Sequence, residues 1–395
     1  MATFDEPLFD ADNHYYEALD AFTRHAQRDN PAKAVRWVVT DEGKHRLLVG
    51  DRLYRFIANP TFDPVARPGA LTELFRRLHA GRPAGDAFAE LDPIHVEYRD
   101  RDARLARMDE QGVERCFLLP TLGLTVEHLM KDDVEMTYDN LHAFNRWLEE
   151  DWGFAYQDRI YAPPLLSLLD VGRAVQELEW VLGRGARVIH IRPGPVYGGR
   201  SPADPAFDPF WSRVEDAGLL VAFHAAEAGY NELLSVHWGE PANPPSHLQS
   251  AFQWATCFGD RPVVDTMAAL VLHNLFGRFP GIRVASIEMG SIWVPYLLEW
   301  LDKAAGLGRR MTPIGGPLPD KPSDVFRHHV FISPFPEEDI AGLAELIGAD
   351  HVLLGSDWPH AEGLREPREY LDEIEGLNDA QVRLIARENA LGLVS

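Results

Sequence analysis

Short apolar runs rich in β-branched and aromatic residues alternate along this chain with longer stretches of helical period, the pattern of βα units around a parallel sheet. Eight runs read as strands, over 8–14, 113–120, 159–166, 186–192, 219–224, 282–288, 329–333 and 351–357. Amphipathic spacing predicts helices over 133–151, 171–184, 205–217, 291–306, 336–347 and 378–393, and one over 99–111 ahead of the second strand. Eight strands with intervening helices predict an α/β chain folded as a closed (β/α)8 TIM barrel. Two segments exceed a minimal barrel. Residues 36–57 read as a β-meander with turns at Asp41-Glu42-Gly43-Lys44 and Gly50-Asp51, and residues 225–262 as a long insertion rich in Pro and aromatics. Each follows a strand that ends in candidate chemistry, so each is expected to rise over the barrel mouth. No repeat or linker divides the chain, and 1–395 reads as a single domain.

Composition places the chain among ordinary globular proteins: 395 residues, 46% hydrophobic and 25% charged, which excludes disorder, collagen and coiled coil. Lys and Arg total 38 against 61 Asp and Glu, a formal charge of -23 that repels phosphate backbones, so nucleic acid is not an expected partner. The two cysteines, Cys116 and Cys257, stand far apart, Cys116 within an apolar run, and read as buried free thiols of a reducing compartment. The acidic start (Asp5, Glu6, Asp10, Asp12) lacks a signal-peptide n-region, and no apolar run approaches the ~20 residues of a membrane span. A cytoplasmic protein without membrane contact is the expectation.

The candidate chemistry gathers at strand ends. The first strand runs into Asp10-Ala11-Asp12-Asn13-His14-Tyr15-Tyr16-Glu17, where alternation sends Asp12 and His14 to one side and Glu17 follows within reach. The fifth ends at His224, the sixth at Glu288, and the eighth at Asp357, with His360 three residues on. Residues that act in a TIM barrel collect at the C-terminal ends of its strands. Four carboxylates (Asp12, Glu17, Glu288, Asp357) and two imidazoles (His14, His224) at one mouth would repel and desolvate one another without a cation. The oxygen-rich, thiolate-free set points to more than one bound metal ion, iron or manganese. His273, on a helix outside the barrel, and His360 stand as reserve ligands for a second ion. Arg192 could meet an anionic substrate group or an acidic neighbour, Tyr15 and Tyr16 could line the pocket or pack, and Arg309 and Arg310 read as surface charge.

These motifs resemble the metal-dependent TIM-barrel amidohydrolase superfamily, in the branch that holds aromatic-acid decarboxylases. The resemblance rests on Asp12-x-His14, His224, Phe276-Gly277-Arg278-Phe279-Pro280-Gly281 and Gly355-Ser356-Asp357-Trp358-Pro359, and runs nearly the whole length. The family's usual His-x-His is here Asp12-Asn13-His14, no bridging lysine ends the fourth strand (His190-Ile191-Arg192-Pro193), and Glu288 stands where the decarboxylases place a histidine. The combination of Asp12-Asn13-His14-Tyr15-Tyr16-Glu17 with Ile287-Glu288-Met289-Gly290-Ser291 more narrowly resembles the TIM-barrel non-haem di-iron monooxygenases typified by the hydroxylase of platensimycin and platencin diterpenoid biosynthesis. That resemblance implies two Fe ions, O2 activation and hydroxylation of an unactivated C–H bond in an apolar, CoA-linked or terpenoid substrate. It also implies an external electron donor, with homo-oligomer formation open. Glu288 and Asp357 would then be the catalytic residues within the metal set. The alternative is a mononuclear zinc or manganese hydrolase or decarboxylase in which Asp12, His14, His224 and Asp357 hold the ion and Glu288 is the general base.

Overall fold

Parallel pairing follows the order of the apolar runs. In the computed structural model, which describes residues 4–26, 30–72, 74, 91–258 and 260–395, strand Leu8–Tyr15 pairs with Val113–Pro120, which pairs with Ile160–Tyr161. A second parallel sheet runs Leu165–Leu166, Val188–Ile191, Leu220–His224, Arg283–Ile287 and Val330–Ile332 in neighbouring order. The third predicted strand is thus two short pieces, since Pro163 and Pro164 between them supply no N–H to a ladder. The eighth run is held by bridges instead of a continuous ladder. Leu353 N donates to Ile332 O at 2.8 Å, Ala11 N to Leu354 O at 2.8 Å and His14 N to Trp358 O at 2.7 Å, so this run lies between the last strand and the first. Phe9, Ala11, Phe117, Leu119, Val188, Leu220, Ala222, Ala285, Ile287 and Leu353 fill the space the strands enclose.

Local chemistry sets the helix starts. Asp100, Asp133 and Asp170 each accept a backbone N–H of the first turn and open Arg101–Gln111, Val134–Asp151 and Val171–Leu182. Gly112, at φ 69°, ends the first of these, in a conformation that glycine adopts without a Cβ penalty. Three other predicted helices are shorter or broken: 205–217 opens as a 3-10 turn before Asp208–Asp216, 336–347 starts at Ile340, and 378–393 passes through a π-turn at Leu384–Glu388. The meander is present as Val35–Val39, His45–Val49 and Arg52–Leu53, antiparallel in turn. The 225–262 insertion is built of short helical turns, and it meets the end of the meander: Ser246 N donates to Phe56 O at 2.9 Å, and Phe56 stacks on Phe258.

A bulge aims the first strand. Its residues Asp10 to Asn13 advance three positions while the partner advances two, from Cys116 to Leu118. Phe9 and Ala11 face the interior, and the extra residue shifts the alternation so that Asp12 and His14 turn inward after them. Asn13 consequently turns outward, where its side chain donates to Asp10 Oδ2 at 2.9 Å and accepts from Arg104 Nη1 at 2.5 Å. Arg104 is fully buried between the Trp152 and Trp358 rings and also donates to His14 O and Glu97 O, each at 2.8 Å. Arg104→Met leaves two buried acceptors, Asn13 Oδ1 and His14 O, and the part-buried Glu97 O without this donor, and urea denaturation is expected to register a loss of about 3 kcal/mol; an unchanged midpoint would show that Arg104 does not hold the strand.

Candidate metal centre

Strand ends bring six side chains together. His14 Nε2 lies 3.2 Å from Asp12 Oδ1, 3.4 Å from Asp357 Oδ1 and 3.8 Å from Glu288 Oε2. His224 Nε2 lies 2.9 Å from Glu288 Oε2, 3.4 Å from Asp12 Oδ1 and 3.2 Å from His14 Nε2. His360 joins from the far side, its Nδ1 2.6 Å from Asp357 Oδ1 and its ring tilted over His14 at 4.0 Å. The ligand atoms form two overlapping groups, Asp12, His14, His224 and Glu288, and His14, Glu288, Asp357 and His360. Glu288 and Asp357 both sit at φ 54°, a left-handed conformation that a non-glycine residue holds only when its surroundings impose it, and one that concentrates at functional sites.

The donor atoms fit a cation. His224 Nδ1 donates to the carbonyl of Ala225 at 2.8 Å, which fixes the ring so that Nε2 is directed at the cluster, where a cation would take the place of the proton it shares with Asp12 and Glu288. Thr121 spends its hydroxyl proton on Tyr15 O, so its oxygen accepts from His360 Nε2 at 2.9 Å and His360 Nδ1 is bare. That nitrogen and Asp357 Oδ1 are buried and make no hydrogen bond despite their closeness. Lone pairs converging on a common point is the arrangement a metal ion satisfies.

Electrostatics carries the same message. Burial and the neighbouring Glu288 and Asp12 push the Asp357 carboxyl well above the usual range, and burial raises Glu288 as well. Burial opposes charge on Asp12, yet hydrogen bonds from His14 and His224 outweigh it and hold its carboxyl below the usual range. Burial lowers His14, aided by His360, whereas at His224 Glu288 and Asp12 overcome burial and raise the imidazole. Protons divided among crowded acids and imidazoles stand where a divalent charge would do the same work.

The other sequence candidates lie elsewhere. Glu17 is buried, but its two oxygens accept from Leu122 N at 3.0 Å and Gly123 N at 2.8 Å, and it braces that loop with its carboxyl raised by burial to about 7. His273 is half-buried at the end of helix Arg261–Leu272 and bonds to Ser201 Oγ at 2.8 Å. Arg192 donates to Pro193 O and Ala228 O, each at 2.7 Å, lies under the Tyr197 ring, and is near enough to Glu127 and Glu227 to favour their charged forms. Tyr15 packs among Trp147 and Trp152, while Tyr16 lies against Phe62, Tyr98 and His360. Cys116 and Cys257 are buried and free, and burial pushes the Cys116 thiol up to about 12.

Two residues went unnoticed in the sequence. His190 is buried with an unpartnered Nε2, on the strand beside that of His224, and burial holds its imidazole well below the ordinary value. Period-two alternation from the inward Val188 would have found it. Asp10 is the second: its carboxylate accepts from Ser356 N at 3.0 Å and Ser356 Oγ at 2.6 Å, tying the first strand to the loop that carries Asp357. Between them Gly355 has no room for a side chain, since a Cβ there would stand 2.3 Å from Ser333 Oγ and 2.6 Å from Asp12 Cβ. Gly355→Ala is expected to cost about 1–3 kcal/mol by overpacking and to weaken metal binding by displacing Asp12; a variant with native melting temperature and metal content would refute this.

Comparison with known proteins places this centre in a family. The amidohydrolase family profile matches residues 93–394. The chain belongs to the amidohydrolase family. An amidohydrolase from Mycobacterium avium subsp. paratuberculosis is 40% identical over 100% of this chain and 99% of its own, with a TM-score of 0.91. At lower identity the fold is shared with 5-carboxyvanillate decarboxylase from Sphingomonas paucimobilis (19% identity, 98% of each chain, TM-score 0.62). It is shared also with a dihydroxybenzoic acid decarboxylase from Polaromonas sp. crystallised with manganese and 2-nitroresorcinol (16% identity, 98% and 97% covered, TM-score 0.59). No curated protein sequence matches.

These findings overturn the monooxygenase reading. The proteins this chain resembles are amidohydrolases and decarboxylases, and manganese, not a pair of iron ions, is the metal of the dihydroxybenzoic acid decarboxylase structure. Two Fe, O2-dependent hydroxylation and a place in antibiotic biosynthesis fall with that reading, as do the electron donor and the CoA-linked substrate that came with it. Glu17, read as one of the ligands, stands outside both ligand groups, and its two oxygens accept backbone N–H groups of the Leu122–Gly123 loop. No helix among the described residues is long and apolar enough to cross a membrane.

Proposed function

We propose that the chain, acting as one catalytic unit over 1–395, is a mononuclear manganese- or zinc-dependent hydrolase. Asp12, His14, His224 and Asp357 would hold the ion, and Glu288 would act as general base. The observation that carries this reading is the convergence of donor atoms from the strand ends, in two overlapping groups that share His14 and Glu288, with Glu288 Oε2 2.9 Å from His224 Nε2. A divalent ion so held supplies Lewis acidity, acidifying a water and polarising a carbonyl. Glu288 Oε2 takes the proton of the attacking water and returns it to the leaving group. His360, its Nε2 held by Thr121, would offer Nδ1 to the ion beside the Asp357 carboxylate. Three carboxylates with neutral imidazoles leave the loaded site about one charge negative, which favours an uncharged ester, lactone or amide over an anionic substrate.

Decarboxylation of a small aromatic acid is the second reading, favoured by the fold neighbours and the manganese bound in one of them. The two separate in one experiment. Manganese- or zinc-loaded protein is incubated in oxygen-18 water with uncharged esters and lactones, and separately with dihydroxybenzoates and 5-carboxyvanillate. Label in the acid product supports hydrolysis. Release of CO2 with no label in the aromatic product would replace it by the decarboxylase reading, and an inert loaded protein against both panels would remove the proposal.

A further inference from the structure

A second polar pocket stands beside the metal centre. Strand Val188–Ile191 runs in register with the strand of His224, Val188 beside Leu220 and His190 beside Ala222, and on its other edge Ile191 lies beside Leu166. Continued past the paired residues, these registers bring Ser167, Arg192 and His224 level on three successive strands. A spacing of about 4.8 Å per strand sets Arg192 roughly 5 Å and Ser167 roughly 10 Å along the barrel mouth from the ligand strand. A cavity of about 280 Å³ opens there, walled by Glu127, Ser167, Arg192 and Tyr197 with aliphatic Leu168 and Val196. That volume lies at the small end of the range for ligand sites and suits one end of a small molecule. None of its polar walls belongs to the metal set.

The walls define what fits. Ser167 Oγ accepts from Leu169 N at 3.2 Å and donates to Glu127 Oε1 at 2.6 Å, which fixes the carboxylate and leaves Glu127 Oε2 an acceptor with no hydrogen bond among the described residues. Arg192 is 7% exposed, and its guanidinium is pinned to three carbonyls, Pro193 O and Ala228 O through Nη1 and Pro195 O through Nη2. Its Nε is nonetheless buried without a partner. A buried donor left unpaired is costly, so an acceptor is owed to it. Charge narrows the class. An anionic head would meet the Glu127 carboxylate and a cationic head the guanidinium, while Glu227 also stands near enough to Arg192 to balance its charge. A hydroxyl answers both walls at once, since one oxygen donates to a carboxylate while accepting from an N–H. We propose that this cavity is a substrate subsite for a neutral hydroxyl, held between Glu127 Oε2 and Arg192 Nε at the end of the substrate remote from the carbonyl that meets the ion. The carbonyl end rests on the hydrolase reading above, and the hydroxyl end on the cavity alone.

Ketones test the subsite without turnover, because they offer a carbonyl and no bond to hydrolyse. The 3- and 4-hydroxycyclohexyl methyl ketones are compared with cyclohexyl methyl ketone by ligand-observed NMR titration of the zinc-loaded full chain. At least one hydroxylated ketone is expected to bind ~10-fold or more tighter than the compound without the hydroxyl. Glu127→Gln keeps an oxygen for Ser167 and puts an amide N–H in place of Oε2. It is expected to bring that ratio to within about twofold of unity, with metal content and the affinity for cyclohexyl methyl ketone unchanged. Arg192→Met is expected to remove the preference as well, and because it also releases three carbonyls, the Glu127 variant decides if it fails to fold. A merely structural role would weaken all the ketones alike. Equal binding of the ketones by the wild-type chain, a preference that survives Glu127→Gln, or tighter binding of 4-acetylcyclohexanecarboxylate than of the hydroxylated ketones would overturn the subsite. An inert protein in the oxygen-18 experiment with the hydroxyl preference intact would remove the hydrolase reading and leave the subsite standing.

Discussion

His224→Ala is expected to leave a folded protein that has lost its metal. Bound manganese or zinc should fall from about one per chain to near zero, and turnover by at least ~10³-fold, since both Lewis acidity and water activation depend on the ion. The imidazole contributes the Nε2 that faces Asp12, His14 and Glu288, and its orientation is set by the Ala225 carbonyl. The fold is expected to persist because the barrel interior beneath, from Ala222 and Leu220 to Ala285 and Val188, is untouched. Elemental analysis of protein purified without added metal, with a thermal melt on the same sample, checks both halves. Full metal content in the variant would eliminate His224 as a ligand.

Glu288→Gln is expected to separate proton transfer from metal binding. The amide preserves shape and can still offer an oxygen toward His224, but it cannot accept the proton of water, so kcat should drop ~10²–10⁴-fold with metal content and KM little changed. Glu288→Ala, which removes the oxygen altogether, tests the opposite assignment that the sequence suggests, in which Glu288 is itself a ligand. If Glu288→Gln loses metal in proportion to activity, that assignment holds and the base must be sought elsewhere in the cluster, with His360 and the unpartnered His190 as the remaining groups.

Much of the frame was legible before any coordinates. Seven of the eight apolar runs contain the strands that form the parallel sheets, and the eighth lies between the last and first of them. The reason is that a strand inside a barrel is buried on both faces and shows as a continuous apolar run. Asp100, Asp133 and Asp170 similarly announce the helices that follow them. Asp12, His14, His224, Glu288, Asp357 and His360 were also readable as a set, because polar residues that terminate such runs have one place to go in this architecture.

What the sequence determined by itself, then, was periodicity and its interruptions: which segments are strands, and which polar residues stand at their ends. Distances in space were decided by tertiary structure. Glu17, three residues beyond His14, seemed within reach of the ions, yet the chain turns after Tyr15 and the amides of Leu122 and Gly123, more than a hundred positions away, capture its carboxylate. Asp12 and His14 face inward only because a bulge between Asp10 and Asn13 shifts the alternation, and that bulge exists only against the neighbouring strand. The tautomers of His224 and His360 depend on the Ala225 carbonyl and on Thr121. Alternation and helical period are properties of neighbours along the chain, whereas a hydrogen bond or a ligand shell is a property of neighbours in space, and these become defined only when the barrel has packed.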